Sequence, residues 1–598
     1  MIKHLIDKIK SSPGIWIFWT IAATALLLRF EYLREFSHYA HFPFAIGPDV
    51  QEYDERAREL LQGIVFPAEP EIHAPLYSIF LAICYKITNF SIAAVRCIQL
   101  LLNWAAFIAL AKLIQKLSNS IKLASIFLFL SLFTPVLFFH QAELISESLL
   151  VPLLTGFFWL LYFAKNDTRN YFCAGIILGF TILTHGLMFF FLAAEAGFFA
   201  LKKQWKNLLL ISAGAFLIIF SVITVKSIHY KKFTPVQGNS FFNLWIGHNP
   251  DADGGCYLRP DEWKKQLKKF HSESAKLNTS ENLLILQEIS SFYRQSPGNL
   301  FLLPLKKAAK LLSPKEPVSG ADPEYLIRIT PIQRWGAGMM GAVLLLSLSG
   351  IYFACRKKES VYIHFYLLAG ALSTGLLLTV VSGRYRQGMM PAIMFLATLA
   401  VFHLGKKSLA VLIPCLLGGA LIIPPLAGGI QRNDEAASII GEAHYRKKEF
   451  DKAEKFLKIA YRNNSQPERF ANMLGAIAEE SGNLTLAENY YNQAITQAPE
   501  HHDAFLNMGH LYFYNFPEKR NTALHLINEA LKRKNDLPSA YDMLGQHLAQ
   551  KKDFSGALKM FDLALYYAPD NELYKKKIEL CRNLAKEREK NAHQSGNR

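Results

Sequence analysis

Cysteine is scarce in this sequence, and acidic charge is in deficit. The seven cysteines, at 84, 97, 173, 256, 355, 415 and 581, form no CxxC pair and no ligand-like spacing with histidine. That argues against a disulfide scaffold or a structural metal site and leaves them as small buried residues. Against 65 Lys and Arg stand 48 Asp and Glu, a net charge of +17. A basic balance suits nucleic acid, but the cations fall between apolar runs and across the C-terminal third. With no aromatic-interleaved basic stripe, nucleic acid is not an expected partner. Neither GxxxxGK nor a GxGxxG in a strand-to-helix setting is present, so no nucleotide-binding loop is expected. The basic start MIKHLIDKIKSSPG leads into apolar residues from Ile15 without a small-residue cleavage site, which reads as a retained first span.

What is present is apolar length. Half of the chain (51%) is hydrophobic, and its 598 residues exceed what one core organises. Stretches suited to a bilayer core of about 20 residues occur at 15–33, 92–111, 123–141, 145–164, 171–184, 187–201, 207–228, 332–355, 360–381, 388–404 and 408–427. The fold class expected is all-α: a polytopic bundle of about 11 spans over 1–430, with a soluble helical domain over 431–598. Lys3, Lys8, Lys10, Lys112, Lys116, Lys122, Lys165, Arg169, Lys202, Lys203, Lys206, Arg356, Lys357, Lys358, Lys406 and Lys407 occupy the short loops. All fall on one side if 75–90 does not cross and 171–201 breaks near Thr184-His185-Gly186. The positive-inside rule makes that side cytoplasmic. The N-terminus is then cytoplasmic, while the segments 34–91 and 229–331 and the C-terminal domain lie on the opposite side.

From about Gln431 the texture becomes charged and amphipathic. Gly441, Gly475, Gly509 and Gly545 recur at intervals of 34, 34 and 36. Paired alanines follow each: Ala453 and Ala460, Ala487 and Ala494, Ala523 and Ala530, Ala557 and Ala564. This period and its small-residue positions resemble the tetratricopeptide repeat, in which two antiparallel helices approach closely. The units are 434–467, 468–501, 502–537 and 538–571, with a polar capping helix at 572–590. The two extra residues of the third unit fall near Asn515-Phe516-Pro517.

The first outer segment reads GPDVQEYDERARELLQGIVFPAEPEIHAPLYSIF over 47–80. Apolar Ala57, Leu60 and Leu61 recur at helical spacing, so 49–62 is expected to be an amphipathic helix at the bilayer surface, opened by Asp49. An Asp there, a Tyr four residues on, and a basic-x-Pro-Leu-Tyr string resemble the first external loop of the GT-C glycosyltransferases. The nearest types are the dolichyl-phosphate-mannose protein mannosyltransferases and their bacterial relatives, including the lipid A aminoarabinose transferases. The resemblance implies that Asp49 is the general base. It puts His73 where the family usually carries Arg or Lys, and His185 where many members have Thr-Arg. It extends to Ala-Glu-Leu-Ile-Ser-Glu (142–147), with Glu147 the better and Glu143 the second match to a cavity carboxylate. It also covers the string 242–255, which contains Asn249, and Ser-Gly-Arg-Tyr-Arg-Gln-Gly-Met-Met-Pro (382–391), which contains Arg384 and Arg386. Glu52 and Tyr53 are further site candidates.

The chemistry is coherent without the family. A sugar on a polyprenyl phosphate brings an anion to the membrane surface, where Arg384 and Arg386, with His73 and His185, would meet it. An acceptor attacking the anomeric carbon needs a carboxylate to take its proton. Each residue also fits a plainer role: Asp49 a helix N-cap, Glu147 an intramembrane pair, the arginines interfacial anchors and His185 a hydrogen-bonded core histidine. The expectation is an inverting transferase without cofactor or metal. It would use a polyprenyl-phosphate sugar in a membrane (bacterial inner membrane, after the bacterial relatives), with the repeats binding the acceptor or a partner protein. The alternatives are a non-catalytic membrane scaffold or transport subunit, and a transferase of the O-antigen-ligase type. The sequence shows no duplicated halves of the transporter kind.

Overall fold

The computed structural model describes residues 13–39, 48–164, 167–255, 260–277, 279–313, 336–356, 362–403, 433–463 and 467–596. They divide into two compact units, Met1–Ala436 and Ala437–Arg598. Helices make up both. The one β-type pairing among the described residues is an isolated parallel bridge between Gly255 and Val381. The expected span 408–427 and Lys3, Lys8, Lys10, Lys165, Lys357, Lys358, Lys406 and Lys407 lie outside the described residues.

Among the described residues of the first unit, four helical stretches have the length and apolarity to cross a membrane: Pro13–Glu35, Ile92–Ser118, Ser146–Ala164 and Trp205–Tyr230. They belong to α1 (Pro13–Tyr39), α4 (Ile92–Ser118), α7 (Leu150–Ala164, with a preceding 3-10 turn Ser146–Leu149) and α10 (Trp205–Tyr230). Between α1 and α4 run α2 (Pro48–Leu61) and α3 (Leu76–Thr88). The Ser91 hydroxyl caps α4 by accepting from Ala94 N–H, and Asn119, in the left-handed conformation, ends it. Ser120 then caps α5 (Ile121–Leu132), so two adjacent polar residues make the turn.

The expected span 123–141 is not one helix. After α5 the chain breaks at Phe133-Thr134 and resumes as α6 (Pro135–Ala142), because Pro135 cannot supply the N–H that would continue the ladder. The broken backbone is tied down by side chains that a plain apolar span would not need. Arg29, fully buried, donates to Leu132 O at 2.9 Å and stacks over Phe138. Gln99 Nε2 reaches Glu143 O at 2.8 Å, Asn103 Nδ2 reaches Ser148 O at 2.8 Å, and Arg96 Nε reaches Ala142 O at 3.2 Å. Arg96, Gln99 and Asn103 share one face of α4, and that face holds the irregular 142–148 segment in place.

α8 (Arg169–Ile182) and α9 (Met188–Leu201) are separated at 183–187, as expected for 171–201. α8 packs parallel to α10. A Cβ at Gly175 would lie 2.2 Å from Ile211 O, and one at Gly179 would lie 2.9 Å from Ala215 O. Such an approach is open only to glycine and uses contact rather than solvent exclusion to join helices. Two parallel helices require α9 to run back between them, so 183–187 is the tip of a hairpin whose other end carries Arg169 and Lys202. The N-terminus of α3 meets that tip, with Leu76 N–H donating to Leu183 O at 3.2 Å. α3 then lies along α2, burying Tyr77, Leu81 and Tyr85 with Val50, Tyr53 and Ala57 and leaving Ile79, Ile83 and Ile87 exposed on the opposite face.

The segment that follows α10 builds its own small core of Phe242, Trp245, Ile246, Phe270, Leu284 and Ile285. It comprises α11 (Ser240–Ile246), α12 (Pro260–Leu277), α13 (Glu281–Gln295) and α14 (Asn299–Leu311). α15 (Gly336–Arg356), α16 (Tyr362–Leu378) and α17 (Met390–His403) complete the described part of the unit, with a 3-10 turn Arg384–Met389 before α17. The cysteine expectation holds for Cys84 and Cys581, which are buried. Cys97 is half-buried and Cys173 is exposed.

The second unit pairs α18 (Asn433–Arg446) with α19 (Phe450–Asn463), α20 (Pro467–Glu480) with α21 (Leu484–Gln497), α22 (His502–Asn515) with α23 (Arg520–Arg533), and α24 (Pro538–Gln550) with α25 (Phe554–Tyr567). The repeating glycines sit where the partner helix comes closest. A Cβ at Gly475 would lie 2.6 Å from the Tyr491 ring and one at Gly545 would lie 2.7 Å from Phe561. The paired alanines, Leu474 and Phe561 are buried, while Leu544 is half-buried. The two extra residues of the third unit appear as a 3-10 turn, Pro517–Lys519, between α22 and α23. α26 (Glu572–Gly596) covers the last pair with Ile578 and Cys581.

Expressed alone, residues 431–598 should give a helical, cooperatively melting protein. Ala487→Asp puts an unpaired carboxylate in a fully buried position and should cost about 3 kcal/mol or more. Circular dichroism on heating checks both; a β-rich or unstructured wild-type spectrum would remove the repeat assignment.

Candidate active site

Three interruptions of the helical body meet in one recess: the 142–148 break, the 183–187 hairpin tip and the 379–389 stretch ahead of α17. The first turn of α2 and the approach to α3 close it. The recess, about 280 Å³ counting the part open to solvent, is lined by Asp49, Tyr53, His73, Ala74, Ser146, Glu147, Thr184, His185, Gln237, Asn239, Arg384 and Tyr385.

Asp49 lies in the first turn of α2, where the unpaired N–H groups of the helix favour a carboxylate. Its Oδ2 is 2.5 Å from Arg384 Nη1 and its Oδ1 is 3.8 Å from His73 Nε2. Burial alone would raise the Asp49 carboxyl, but the Arg384 and His73 cations outweigh it and hold the group below its ordinary value. His73 is 3.0 Å from Glu52 Oε2. Burial works against its imidazolium; the Asp49 charge and the Glu52 hydrogen bond outweigh that and raise its pKa. Its ring packs 4.9 Å from that of Tyr53, whose hydroxyl is pushed well above its ordinary value by burial and then by Glu147 and Asp49. Tyr53 is therefore a neutral donor.

Glu147 faces Asp49 across Arg384. Its Oε1 is 3.7 Å from both Arg384 Nε and His185 Nε2, and Ser146 Oγ donates to its Oε2 at 3.1 Å. The His185 ring stands edge-on to Tyr385 at 4.6 Å, and its Nδ1 accepts from Leu187 N–H. One arginine thus stands between two carboxylates held by different parts of the chain, with a histidine beside each.

Of the residues singled out from sequence, the fold brings Asp49, Tyr53, His73, Glu147, His185 and Arg384 together. Glu52 stands at the rim, joined through His73. Three candidates lie elsewhere. Glu143 turns away and pairs with His140 at 2.9 Å. Asn249 Nδ2 donates to Trp245 O and Ile246 O, ending α11. Arg386 Nη1 donates to Leu311 O at 3.2 Å and Ser313 O at 2.9 Å and does not line the recess. Gln237 and Asn239 were not anticipated. Gln237 Oε1 accepts from Gly186 N–H, and Gly238 N–H donates to Ile72 O, so this stretch joins the hairpin tip to the irregular segment that carries His73. Their only signal is a polar run, TPVQGNS (234–240), between a membrane helix and the 242–255 string.

No curated protein matches the sequence. Residues 72–229 match the family model of the dolichyl-phosphate-mannose-protein mannosyltransferases, and residues 440–502 match that of the tetratricopeptide repeat. Among solved structures, ArnT from Cupriavidus metallidurans bound to undecaprenyl phosphate is 14% identical with a TM-score of 0.43; the match covers 90% of this chain and 81% of that one. The Archaeoglobus fulgidus oligosaccharyltransferase tethered to an acceptor peptide is 14% identical with a TM-score of 0.40, over 74% of this chain and 59% of that one. The mannosyltransferase match includes His73, Glu147 and His185 and ends with α10, and the repeats follow in the second unit. The chain thus joins a region, 72–229, that is similar to the dolichyl-phosphate-mannose-protein mannosyltransferases, and that contains helices long and apolar enough to cross a membrane, to a second unit with a region, 440–502, similar to the tetratricopeptide repeat.

Proposed function

We propose that this protein transfers a sugar from a polyprenyl-phosphate-linked donor to an acceptor on the non-cytoplasmic side of the membrane, and that its repeats hold the acceptor or a partner protein. The observation that carries this reading is the Asp49–Arg384–Glu147 bridge. Without donor, Arg384 neutralises Asp49. A donor phosphate entering the recess competes for the same guanidinium, and Arg–phosphate pairing is strong and bidentate. Withdrawal of Arg384 toward the phosphate uncovers the Asp49 carboxylate and makes it more basic. The acceptor O–H or N–H then passes its proton to Asp49 as its heteroatom bonds to the anomeric carbon. The bond from that carbon to the phosphate oxygen breaks, and its electron pair leaves on the polyprenyl phosphate held by Arg384. A single displacement of this kind inverts the anomeric centre and routes no step through a metal or cofactor. Tyr53 and His73 add donors to the phosphate, and Ile79, Ile83 and Ile87 of α3 offer an apolar face to the lipid.

Asp49→Asn should lower turnover by about 10²–10⁴-fold, the usual contribution of a positioned base. Binding of undecaprenyl phosphate should persist or tighten, because a competing carboxylate is gone. Arg384→Ala should weaken that binding about tenfold or more, the value of a charge-assisted hydrogen bond of about 1.5–3 kcal/mol. Envelope glycans and lipid-linked sugars compared by mass spectrometry with and without the gene supply the product readout. Indifference of both binding and products to the two substitutions, in folded protein, would leave a scaffold.

The pH dependence has a definite sign. His73 has its pKa raised above the ordinary 6.5, so its cation is fully present below that value and is lost as pH rises through the raised one. Undecaprenyl phosphate affinity should therefore fall as pH rises through that raised value in the wild type, and His73→Gln should flatten the profile. An unchanged profile in that variant would take His73 out of phosphate binding.

The side of the membrane is tested by an impermeant thiol reagent on sealed cells. Cysteines at the exposed positions Ser272 and Glu500 should label. Protection of both with labelling at Lys202→Cys would reverse the orientation.

A further inference from the structure

Arg384 sits in the recess, but both of its flanks are gripped from outside it. On the N-terminal side, Lys307 Nζ donates to Thr379 O just past the end of α16, and Val381 N–H donates to Gly254 O at 3.2 Å. On the C-terminal side, Arg386 reaches Leu311 O and Ser313 O. All four anchors belong to the outer segment 247–313. Lys307 is fully buried and Arg386 nearly so, and burying a cation is costly unless its donors are met, as the Thr379, Leu311 and Ser313 carbonyls meet them here. Two of the three glycines of the 242–255 string make the approach possible. A Cβ at Gly247 would fall 2.0 Å from Thr379 O, and Gly254, at φ +91°, would bring one to 3.2 Å from Lys307 N.

We propose that the outer segment sets the position of Arg384 in the recess, with Lys307 and Arg386 as its two positioning residues. The loop 379–386 leaves the end of a helix, where its carbonyls lack intrahelical partners, and no other described element supplies a side chain to them. Lys307 takes one such carbonyl, and His248 Nε2 lies 2.7 Å from the neighbouring Leu378 O and 2.9 Å from Lys307 Nζ. Burial draws the Lys307 ammonium down to about 7, so the anchor is held at the expense of its charge. The assignment explains why the string 382–391 carries two arginines. One faces the recess, and its neighbour two residues on fixes the loop to the outer segment.

The positioning role rests on the glycosyltransferase reading only through the phosphate that Arg384 would bind, and one of its two readouts is independent of that reading. In the full-length protein, Lys307→Met should speed amide hydrogen exchange across 379–386 about tenfold or more, while α2 stays as protected as before. Lys307→Arg should restore protection. The same variant should weaken binding of undecaprenyl phosphate about tenfold, and the loss should vanish in an Arg384→Ala background, because a residue acting through another adds nothing once that one is gone. Arg386→Gln cuts the second anchor and serves as the alternative variant if Lys307→Met is not recovered folded. Unchanged exchange over 379–386 in both variants, or a binding loss that persists undiminished without Arg384, would overturn the proposal. Faster exchange with lipid binding indifferent to every variant, Arg384→Ala included, would uphold the positioning role and instead remove the phosphate from Arg384.

Discussion

Backbone that leaves its helix inside an apolar body must find partners for its N–H and C=O groups, and that requirement organises the membrane unit. Three breaks among the described residues are matched by a polar side chain on a neighbouring helix. Arg29 serves the 133–134 break; Arg96, Gln99 and Asn103 serve 142–148; Lys307 serves the end of α16. An uninterrupted bundle would need none of these residues, but it would also have no recess. The irregular segments are where side chains can converge, and the polar residues buried along the helices are the condition for keeping them irregular.

Helix existence was legible from apolar length, and the repeats were legible from their period, because both follow from local pattern. The hairpin at 183–187 was legible through charge, since Arg169 and Lys202 could share a side only if the chain turned between them. The break at 133–134 was readable from Pro135 and was missed because the apolar run continues through it without a change in composition. Of the six sequence candidates that meet in the recess, Asp49, Glu147 and Arg384 were marked by charge that is expensive at a membrane surface. Glu143, four residues before Glu147, and Arg386, two after Arg384, carry the same charge and could not be separated from them by sequence. Only the direction in which an irregular backbone points its side chains decides between such neighbours. Gln237 and Asn239 carry no charge and no motif, so nothing local marks them.

Glycine is used in both units to bring helix axes together, for different reasons. Between α8 and α10, Gly175, Gly179 and Gly214 put backbone against backbone, as suits an environment where apolar side chains gain little by associating. In the repeats, Gly475 and Gly545 each receive a single aromatic ring, and the tightness serves to bury that ring from water. The first arrangement is a seam of carbonyls and the second is a row of sockets.

The Asp49–Arg384 pair joins residues 335 positions apart, since 384 − 49 = 335. During synthesis, Asp49 is therefore in place long before its counter-ion exists, and the bundle that brings them together closes only when α16 and the loop beyond it have emerged. Until then the carboxylate at the head of α2 faces water without a cation from the far end of the unit. A product that stops short of residue 384 therefore lacks the Arg384 side of the recess altogether, whichever of its helices have already formed.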